Sequence, residues 1–215
     1  MQKKYTTALF DIDGTLVTLD GVVKAIQETL AHFDLNAMSH HDIVHRFIGY
    51  VLIDEFPKVY PHMAAEADAM QKVYTRIFLK KHKDYEKLLP HACDVLRKLK
   101  ADGLKIGIVT TKGRKEALAV LTEYRMPYDL LLSHNEVPAI KPSPVPLVMA
   151  MQKLDSRPSQ TIMTGDHIFD IMSAKAAGCD SVGVLTGAST KEELEEAGAT
   201  YIIKNLEGLL KVMGL

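Results

Sequence analysis

The sequence predicts an α/β protein: a mostly parallel sheet interrupted by one inserted block of helices. Short apolar runs, each ending in a polar residue, recur along the chain, and segments of helical periodicity separate them. After the first run, a stretch of about 70 residues has helical periodicity throughout and contains no strand-like run. The chain has 215 residues, of which 47% are hydrophobic and 25% charged, enough for a large domain with a smaller insertion.

Six apolar runs are the expected strands of the sheet. They are Tyr5–Phe10, Leu104–Thr110, Asp129–Ser133, Thr161–Thr164, Ser181–Thr186 and Thr200–Ile203. Apolar residues three or four positions apart flank several of these runs, as Leu96 and Leu99 do before the second and Leu118 and Leu121 after it. Strands that alternate with helices form βα units, so we predict a Rossmann-like sheet covered on both faces.

The stretch after the first strand has the apolar spacing of several successive helices. Its periodic positions include Val23, Ile26, Leu30, Phe33, Ile43, Phe47, Val51, Met70, Val73, Ile77 and Phe78. We therefore predict an α/β core formed by residues 1–15 and 90–215, with residues 16–89 inserted as an all-helical subdomain.

Composition and charge exclude several classes of protein. The formal net charge is −1, which favours neither nucleic acid nor an anionic membrane as a partner. The two cysteines, Cys93 and Cys179, lie far apart without metal-ligand spacing, and we expect reduced core thiols. No apolar run reaches the roughly 18 residues of a membrane span, and the first run is too short for a signal peptide. A cytoplasmic protein is therefore expected.

Polar residues stand where the predicted strands end. Asp11 and Asp13 follow the first strand, Thr110 ends the second, and Asp166 follows the fourth. Lys141 lies in the loop after the third strand. Ligands of parallel sheets bind beyond the carboxyl ends of the strands, so we expect these five side chains to converge at one edge.

Such a cluster has the composition of a phosphoryl-binding site. Carboxylates this close repel each other and need a cation, and oxygen ligands of this kind suit Mg²⁺. A divalent metal, a lysine and a hydroxyl together bind and polarise a phosphoryl group. A carboxylate in the same site can act as a nucleophile and divide one difficult step into two easier ones.

Four motifs give the chain a resemblance to the haloacid dehalogenase-like hydrolases. The first, Asp-x-Asp-Gly-Thr, spans 11–15, and the second is the apolar strand that ends in Thr110. The third is Lys141 followed by Pro-x-Pro, and the fourth is Gly-Asp-x-x-x-Asp over 165–170. The motifs occur in the family's order, and the helical insertion resembles the cap of its phosphoglycolate phosphatase-like branch.

The resemblance implies a role for each matching residue. Asp11 attacks phosphorus, and Asp13 protonates the departing oxygen and later deprotonates the hydrolytic water. Thr110 hydrogen-bonds a phosphoryl oxygen, and Lys141 neutralises charge on the nucleophile and the phosphoryl group. These roles agree with the physics of phosphoryl transfer, which depends on positioning and charge neutralisation.

The resemblance also implies a set of metal ligands. Asp11 ligates Mg²⁺ through its second carboxylate oxygen, Asp13 through its backbone carbonyl, and Asp166 through its side chain. Asp170 ligates through water or orients the other ligands. Alternatively, Asp170 is a carboxylate at a helix N-terminus, where the helix dipole stabilises its negative charge.

The residues that contact the rest of the substrate are less well defined by the sequence. Thr111 is an alternative to Thr110 at the phosphate. Candidate contacts in the helical block are Asp20, Lys24, His45, Arg46, Gly49 and Tyr50, of which His45 and Arg46 could meet an anionic leaving group. His167 is either a solvent-facing loop residue or a substrate contact. The pair of His41 and His45 has metal-like spacing but no third ligand, which favours an exposed helix start.

The function predicted is a Mg²⁺-dependent phosphohydrolase of a small phosphorylated metabolite, such as a phosphoglycolate-type monoester, acting through an aspartyl-phosphate. Asp13 disfavours a dehalogenase, which needs no proton donor there. One alternative is an inorganic pyrophosphatase. Another is a phosphomutase that resembles β-phosphoglucomutase, although such mutases tend to carry a bulkier aliphatic residue where this chain has Thr15. A non-catalytic phosphate-binding or regulatory module is the alternative of another class. Both a monomer and a homodimer fit the sequence.

Overall fold

The computed structural model describes residues 4–215, and six parallel strands form its single sheet, in the order β3-β2-β1-β4-β5-β6. The strands are β1 (Thr7–Phe10), β2 (Lys105–Val109), β3 (Leu130–Leu132), β4 (Thr161–Gly165), β5 (Asp180–Val184) and β6 (Tyr201–Ile203). Every neighbouring pair is parallel. The predicted α/β fold is confirmed, and each predicted strand overlaps an observed one.

Ten α-helices accompany the strands over the same residues. They are α1 (Asp20–His32), α2 (His40–Phe47), α3 (Leu52–Val59), α4 (Ala67–Tyr85), α5 (Ala92–Ala101), α6 (Arg114–Glu123), α7 (Val145–Lys153), α8 (Ile168–Ala177), α9 (Lys191–Ala197) and α10 (Glu207–Met213). Helices α1–α4 all lie between β1 and β2 in the chain, and α5–α10 alternate with the remaining strands.

The sheet is buried on both faces, as its apolar strands predict. Alternate residues of β1 point to opposite sides. Ala8 and Phe10 belong to one apolar cluster, while Leu9 packs in a second cluster with Leu147 of α7 and Met163 of β4. All three β1 residues are fully buried, which fixes β1 at the centre of the core.

The helical block between β1 and β2 has an apolar interior that is continuous with one face of the sheet. Val23 and Ile26 of α1, Phe56 of α3, and Met70 and Phe78 of α4 are all at most 1% exposed. Helix α3 lies inside the block predicted to be helical, but it was not outlined as a separate helix, because it has only eight residues and includes Pro57. Proline interrupts helical hydrogen bonding, and α3 ends two residues later.

Two short linkers join this block to the sheet, and they run side by side. The Thr18 N–H donates to the Lys87 carbonyl at 2.8 Å, and the Leu89 N–H donates to the Leu16 carbonyl at 3.0 Å. Only these two segments carry the chain between the sheet and α1–α4. They support our proposal that residues 16–89 form a cap on a core of 1–15 and 90–215.

The order of the strands places a ligand site beside β1. From β1 the chain continues through the helical block to β2 and β3 on one side, and then crosses to β4 on the other. Phe10 pairs in register with Ile108 of β2 and with Thr164 of β4, so these three strands end at the same level. A crevice at such a reversal is where open parallel sheets bind ligands.

Cys93 and Cys179 are free and buried, as predicted. Among the helices described over residues 4–215, none combines the length and apolar character needed to cross a bilayer.

Candidate active site

Three aspartates meet beyond the ends of β1 and β4. Asp11 is 9% exposed, Asp166 0% and Asp170 1%, and each offers an oxygen atom within 4.8 Å of the others. Burial raises the pKa of Asp166 well above its usual range, and the Asp11 and Asp170 carboxylates raise it further. Three buried carboxylates at this spacing need positive charge to remain ionised together.

The Asp166 carboxylate lies directly against bare backbone. A Cβ atom at Gly14 or at Gly187 would overlap its oxygen atoms, and Gly14 also has a φ of 78°, which disfavours other residues. The Thr15 hydroxyl donates to Oδ1 at 2.8 Å, and the Ala188 N–H donates to Oδ2 at 2.8 Å. These contacts hold one carboxylate rigidly in the centre of the cluster.

The donor set fits a hard divalent cation. All three side chains are carboxylates, which suit Mg²⁺ or Ca²⁺ rather than the softer metals that prefer nitrogen and sulfur. A bound cation would also balance the charge that burial leaves unfavourable at Asp166. The buried triad of Asp11, Asp166 and Asp170 is therefore where this chain can hold a metal ion.

Lys141 supplies the cluster with a buried ammonium group. Its side chain is 4% exposed, and Nζ lies 3.0 Å from Asp11 Oδ1 and 2.6 Å from Asp170 Oδ1. It also donates to the Val109 carbonyl at 3.0 Å. Burial lowers the pKa of Lys141, but the two carboxylates outweigh that effect and hold the pKa above its ordinary value. The lysine is thus charged and fixed beside the proposed nucleophile.

Asp170 stands both at the start of a helix and in the acidic cluster. It lies in the first turn of α8, where its Oδ2 accepts the N–H of His167 at 3.2 Å, and its Oδ1 accepts from Lys141. Burial raises its pKa to about 6, against the opposing effect of Lys141. The helix start and the acidic cluster therefore share this residue.

His167 is a capping residue rather than a solvent-facing one. Its Nδ1 accepts the N–H of Phe169 at 3.1 Å, and its ring packs on the Phe169 ring with centroids 4.4 Å apart. Burial, followed by the charge of Lys141, lowers the pKa of His167 to about 4. The neutral imidazole therefore starts α8, and it does not line the cavity at Asp11.

A second lysine, Lys112, which was not among the residues predicted for the site, holds Asp13. Lys112 Nζ lies 2.7 and 2.8 Å from the two Asp13 oxygens, its side chain is 2% exposed, and it sits 4.2 Å from the centre of the Phe78 ring. Burial raises the pKa of Asp13, and the Lys112 ammonium opposes that shift. Lys112 comes three residues after the end of β2, so the strand-end rule would have found it.

The two candidate hydroxyls differ in their surroundings. Thr110 is 5% exposed, and its hydroxyl oxygen accepts the Lys112 N–H at 3.1 Å, which leaves the hydroxyl hydrogen to donate. Thr111 is half-buried and lines the cavity at Asp11, and its carbonyl oxygen lies 3.0 Å from Nδ1 of His134. Both hydroxyls remain candidates for a phosphoryl contact.

A cavity of about 50 Å³ opens beside Asp11 and Asp13. The helical block contributes Val22, Phe47, Ile48, Gly49, Tyr50, Leu52, Gln71 and Tyr74 to its walls, and the α/β core contributes Thr111, Lys112, Gly113 and His134. His45 and Arg46 do not line it: both are exposed, and His45 faces a separate cavity shared with His167. Their assignment to substrate stays a prediction, which this geometry does not support.

This fold and this site define a hydrolase of the haloacid dehalogenase type. The family model described as haloacid dehalogenase-like hydrolase matches residues 8–184. The chain belongs to the haloacid dehalogenase-like hydrolase family.

Individual relatives are similar to this protein over nearly the whole chain. It is 34% identical to a protein of Bacillus pumilus (strain SAFR-032) named pyrophosphatase PpaX, over 97% of this chain and 96% of that one. A crystal structure from Bacteroides fragilis, described as a haloacid dehalogenase-like hydrolase, has a TM-score of 0.86 at 29% identity, covering 96% of this chain and 100% of that one. A Haemophilus somnus 129pt structure, described as a predicted phosphoglycolate phosphatase, shares the fold with a TM-score of 0.88, 24% identity and 99% coverage of both chains.

Proposed function

We propose that this phosphatase of the haloacid dehalogenase-like hydrolase family is a Mg²⁺-dependent phosphohydrolase of small phosphorylated metabolites. The observation that carries the proposal is the buried triad of Asp11, Asp166 and Asp170, with Lys141 joined to two of the three carboxylates. Phosphoryl transfer depends on positioning and on neutralisation of charge, and clustered carboxylates with a fixed lysine beside them can provide both.

In the first step Asp11 attacks phosphorus and the bond to the leaving oxygen breaks. Lys141 lies 3.0 Å from Asp11 and screens the approach of the anionic carboxylate to the anionic substrate. Asp11, Asp166 and Asp170 would hold a Mg²⁺ ion, which would supply further neutralisation of the phosphoryl charge. Thr110 or Thr111 donates a hydrogen bond to one of those oxygens.

Asp13 moves the proton in both steps. Its carboxyl group protonates the departing oxygen, which leaves as an alcohol or as phosphate. The resulting carboxylate then takes a proton from the water that attacks phosphorus, and the bond between phosphorus and Asp11 breaks to release phosphate. Lys112 fixes the direction of this side chain through both of its oxygens.

A phosphoglycolate-type monoester is the substrate class we favour. The cavity at Asp11 holds only about 50 Å³, which suits a short leaving group. Hydrolysis of inorganic pyrophosphate is the second candidate, because the relative at 34% identity is named a pyrophosphatase. Phosphomutase activity and non-catalytic phosphate binding are the alternatives that the same experiment tests.

Phosphate release from a panel of metabolites with Mg²⁺ tests the proposal. We expect release from at least one small monoester or from pyrophosphate, and loss of at least about 10³-fold in turnover for Asp11→Asn. Asp34→Asn, which changes an aspartate outside the site, is the matched control. Wild-type turnover in Asp11→Asn would refute the assignment of Asp11 as the nucleophile. Isomerisation of a sugar monophosphate in the presence of glucose 1,6-bisphosphate would reveal a mutase.

A further inference from the structure

One face of α4 lies along the loop that follows β2. Gln71, Thr75 and Phe78 are spaced four and three residues apart, so they share one side of this helix. Gln71 lines the cavity at Asp11. Phe78 lies beneath the Lys112 ammonium, with 4.2 Å between Nζ and the centre of the ring. This face of α4 therefore extends from the wall of the cavity to the lysine that holds the proposed acid–base group.

Thr75, in the middle of this face, bonds to a buried carboxylate of α6. Its hydroxyl donates to Oε1 of Glu116, and the Gln71 amide donates to the Thr75 hydroxyl oxygen at 3.3 Å. Glu116 is only 3% exposed, and within residues 4–215 it forms no ion pair with a basic side chain. Loss of the Thr75 hydroxyl would therefore take a donor away from a buried charge, which is unfavourable.

The other oxygen of Glu116 lies against the backbone that follows Lys112. A Cβ atom at Gly113 would be 2.5 Å from Oε2, although the φ of Gly113, −63°, is one that any residue can adopt. The close approach of the carboxylate, rather than the backbone conformation, therefore requires the glycine. Glu116 lies in the first turn of α6, which begins directly after Gly113. Its carboxylate thus connects α4 to the residue next to Lys112.

We propose that Thr75 and Glu116 are positioning residues for the proton transfer. Their hydrogen bond sets the place of Lys112, and Lys112 in turn sets the direction of the Asp13 carboxyl group. The Lys112 side chain is 2% exposed, and its Nζ lies 2.7 and 2.8 Å from the two Asp13 oxygens, so a shift of the loop moves the carboxyl group with it. Small displacements of a reacting group slow catalysis strongly. The proposal rests on the proposed function, because it assigns the proton transfer to Asp13.

The leaving group of the substrate decides how much proton transfer from Asp13 matters. An alkoxide or a phosphate ion is a strong base and needs a proton as it leaves, whereas p-nitrophenolate is a weak base and leaves without one. A change that disturbs only Asp13 should lower kcat/KM for the first kind of substrate and spare the second. A change that disturbs the fold or the binding of phosphate should lower kcat/KM for both kinds alike.

The variant Thr75→Val keeps the shape of the side chain and removes the hydroxyl. We expect its kcat/KM for the best substrate of the panel to fall by about tenfold. With p-nitrophenyl phosphate, kcat/KM should change by less than about twofold, because phosphoryl transfer to Asp11 then needs no acid. Thr75→Ala, a second variant without the hydroxyl, should show the same selective loss. Thr75→Ser, which keeps the hydroxyl, should recover most of it.

A double-mutant cycle tests whether the effect passes through Lys112. In the Lys112→Met background, Thr75→Val should lower kcat/KM further by less than about twofold, because the lysine that the contact positions is already absent. Thr122→Val, at an exposed position of α6, is the matched control and should leave kcat/KM unchanged for both substrates. Thermal unfolding of every variant identifies any that have lost the fold.

Failure of the positioning role can be distinguished from failure of the proposed function. Unchanged kcat/KM in folded Thr75→Val and Thr75→Ala, an equal loss for both substrates, or an additive loss in the cycle would overturn the positioning role. With phosphate release intact in the wild type, each of these results leaves the proposed function standing. If the wild type releases no phosphate from any ester or from pyrophosphate, the proposed function fails and the positioning role fails with it.

Discussion

At the scale of single residues, Lys112 controls the proposed acid–base group. Its buried ammonium contacts both oxygens of Asp13 and rests on the Phe78 ring. We expect Lys112→Met, which keeps the length and removes the charge, to lower kcat by about 10²-fold, because Asp13 loses its fixed orientation.

Lys80→Met, at an exposed position of α4, is the control for this change. Thermal unfolding of both variants separates a loss of fold from a loss of catalysis, and KM should change less than kcat. An unchanged kcat for a folded Lys112→Met protein would show that Asp13 needs no such support.

Glu86 makes stability depend on pH. It is 2% exposed, and neither carboxylate oxygen has a hydrogen-bond partner. Burial raises its pKa from 4.5 to about 8, so the folded state binds this proton more tightly than the unfolded state does. The free energy of unfolding should therefore fall as pH rises from 4.5 to 8, by on the order of 2–4 kcal/mol from this group.

Glu86→Gln keeps the shape and removes the titration, so it should be more stable than wild type at pH 9 and nearly equal to it at pH 5. Urea unfolding at the two pH values measures this difference. The exposed Glu196→Gln is the control and should show no pH-dependent gain. Equal stability of Glu86→Gln and wild type at pH 9 would contradict the raised pKa.

At the scale of elements, the loop after β5 completes the acidic cluster. Gly187 lies so close to Asp166 that a Cβ atom would displace the carboxylate. We expect Gly187→Ala to raise the Mg²⁺ concentration for half-maximal activity by at least about tenfold, as changes around metal ligands commonly do.

Gly103→Ala provides the comparison, because no atom lies within 4 Å of its added methyl group. Its φ of 80° makes that variant less stable, but its Mg²⁺ dependence should match wild type. A Mg²⁺ titration of Gly187→Ala that superimposes on wild type would place the metal elsewhere.

Elements that depend on nearby sequence could be predicted, whereas those that depend on tertiary packing could not. The strands were predictable because buried parallel strands require continuous apolar runs, and the positions of Asp11 and Asp166 follow from where β1 and β4 end. Within the block predicted to be helical, the bounds of α3 were not predictable, because Pro57 opposes a helix locally and the burial of Phe56 compensates. The sequence around Pro57 does not reveal that Phe56 is buried by the other helices.

The predicted substrate contacts on α2 show a second limit. Ile43 and Phe47, four residues apart, are buried and fix the inward face of α2, which leaves His45 and Arg46 exposed. Gly49 and Tyr50, which were also candidates, line the cavity together with Phe47 and Ile48. Residue type alone favoured the charged pair, whereas the packing of the helix decides which residues face the site.

At the scale of the whole molecule, the site lies where the helical block meets the sheet. Across this boundary Thr75 of α4 bonds Glu116 of α6, Lys112 of the core lies on Phe78, and the Tyr124 hydroxyl donates to the Glu86 carbonyl at 2.9 Å. These contacts join the two parts of the chain around the site, while Asp13 keeps access to the cavity. Since both parts contribute walls, we expect catalysis to depend on their relative position.

The central claim, that Asp11 is the nucleophile of a phosphatase, is tested most directly by trapping its intermediate. Enzyme, Mg²⁺ and the best substrate of the panel would be mixed and quenched with acid within one turnover, and the peptides analysed by mass spectrometry. We predict one added phosphoryl group on Asp11 in the wild type and none in Asp11→Asn. Phosphate release with no phosphoryl group on Asp11 at any quench time, or with one on another residue, would contradict the account.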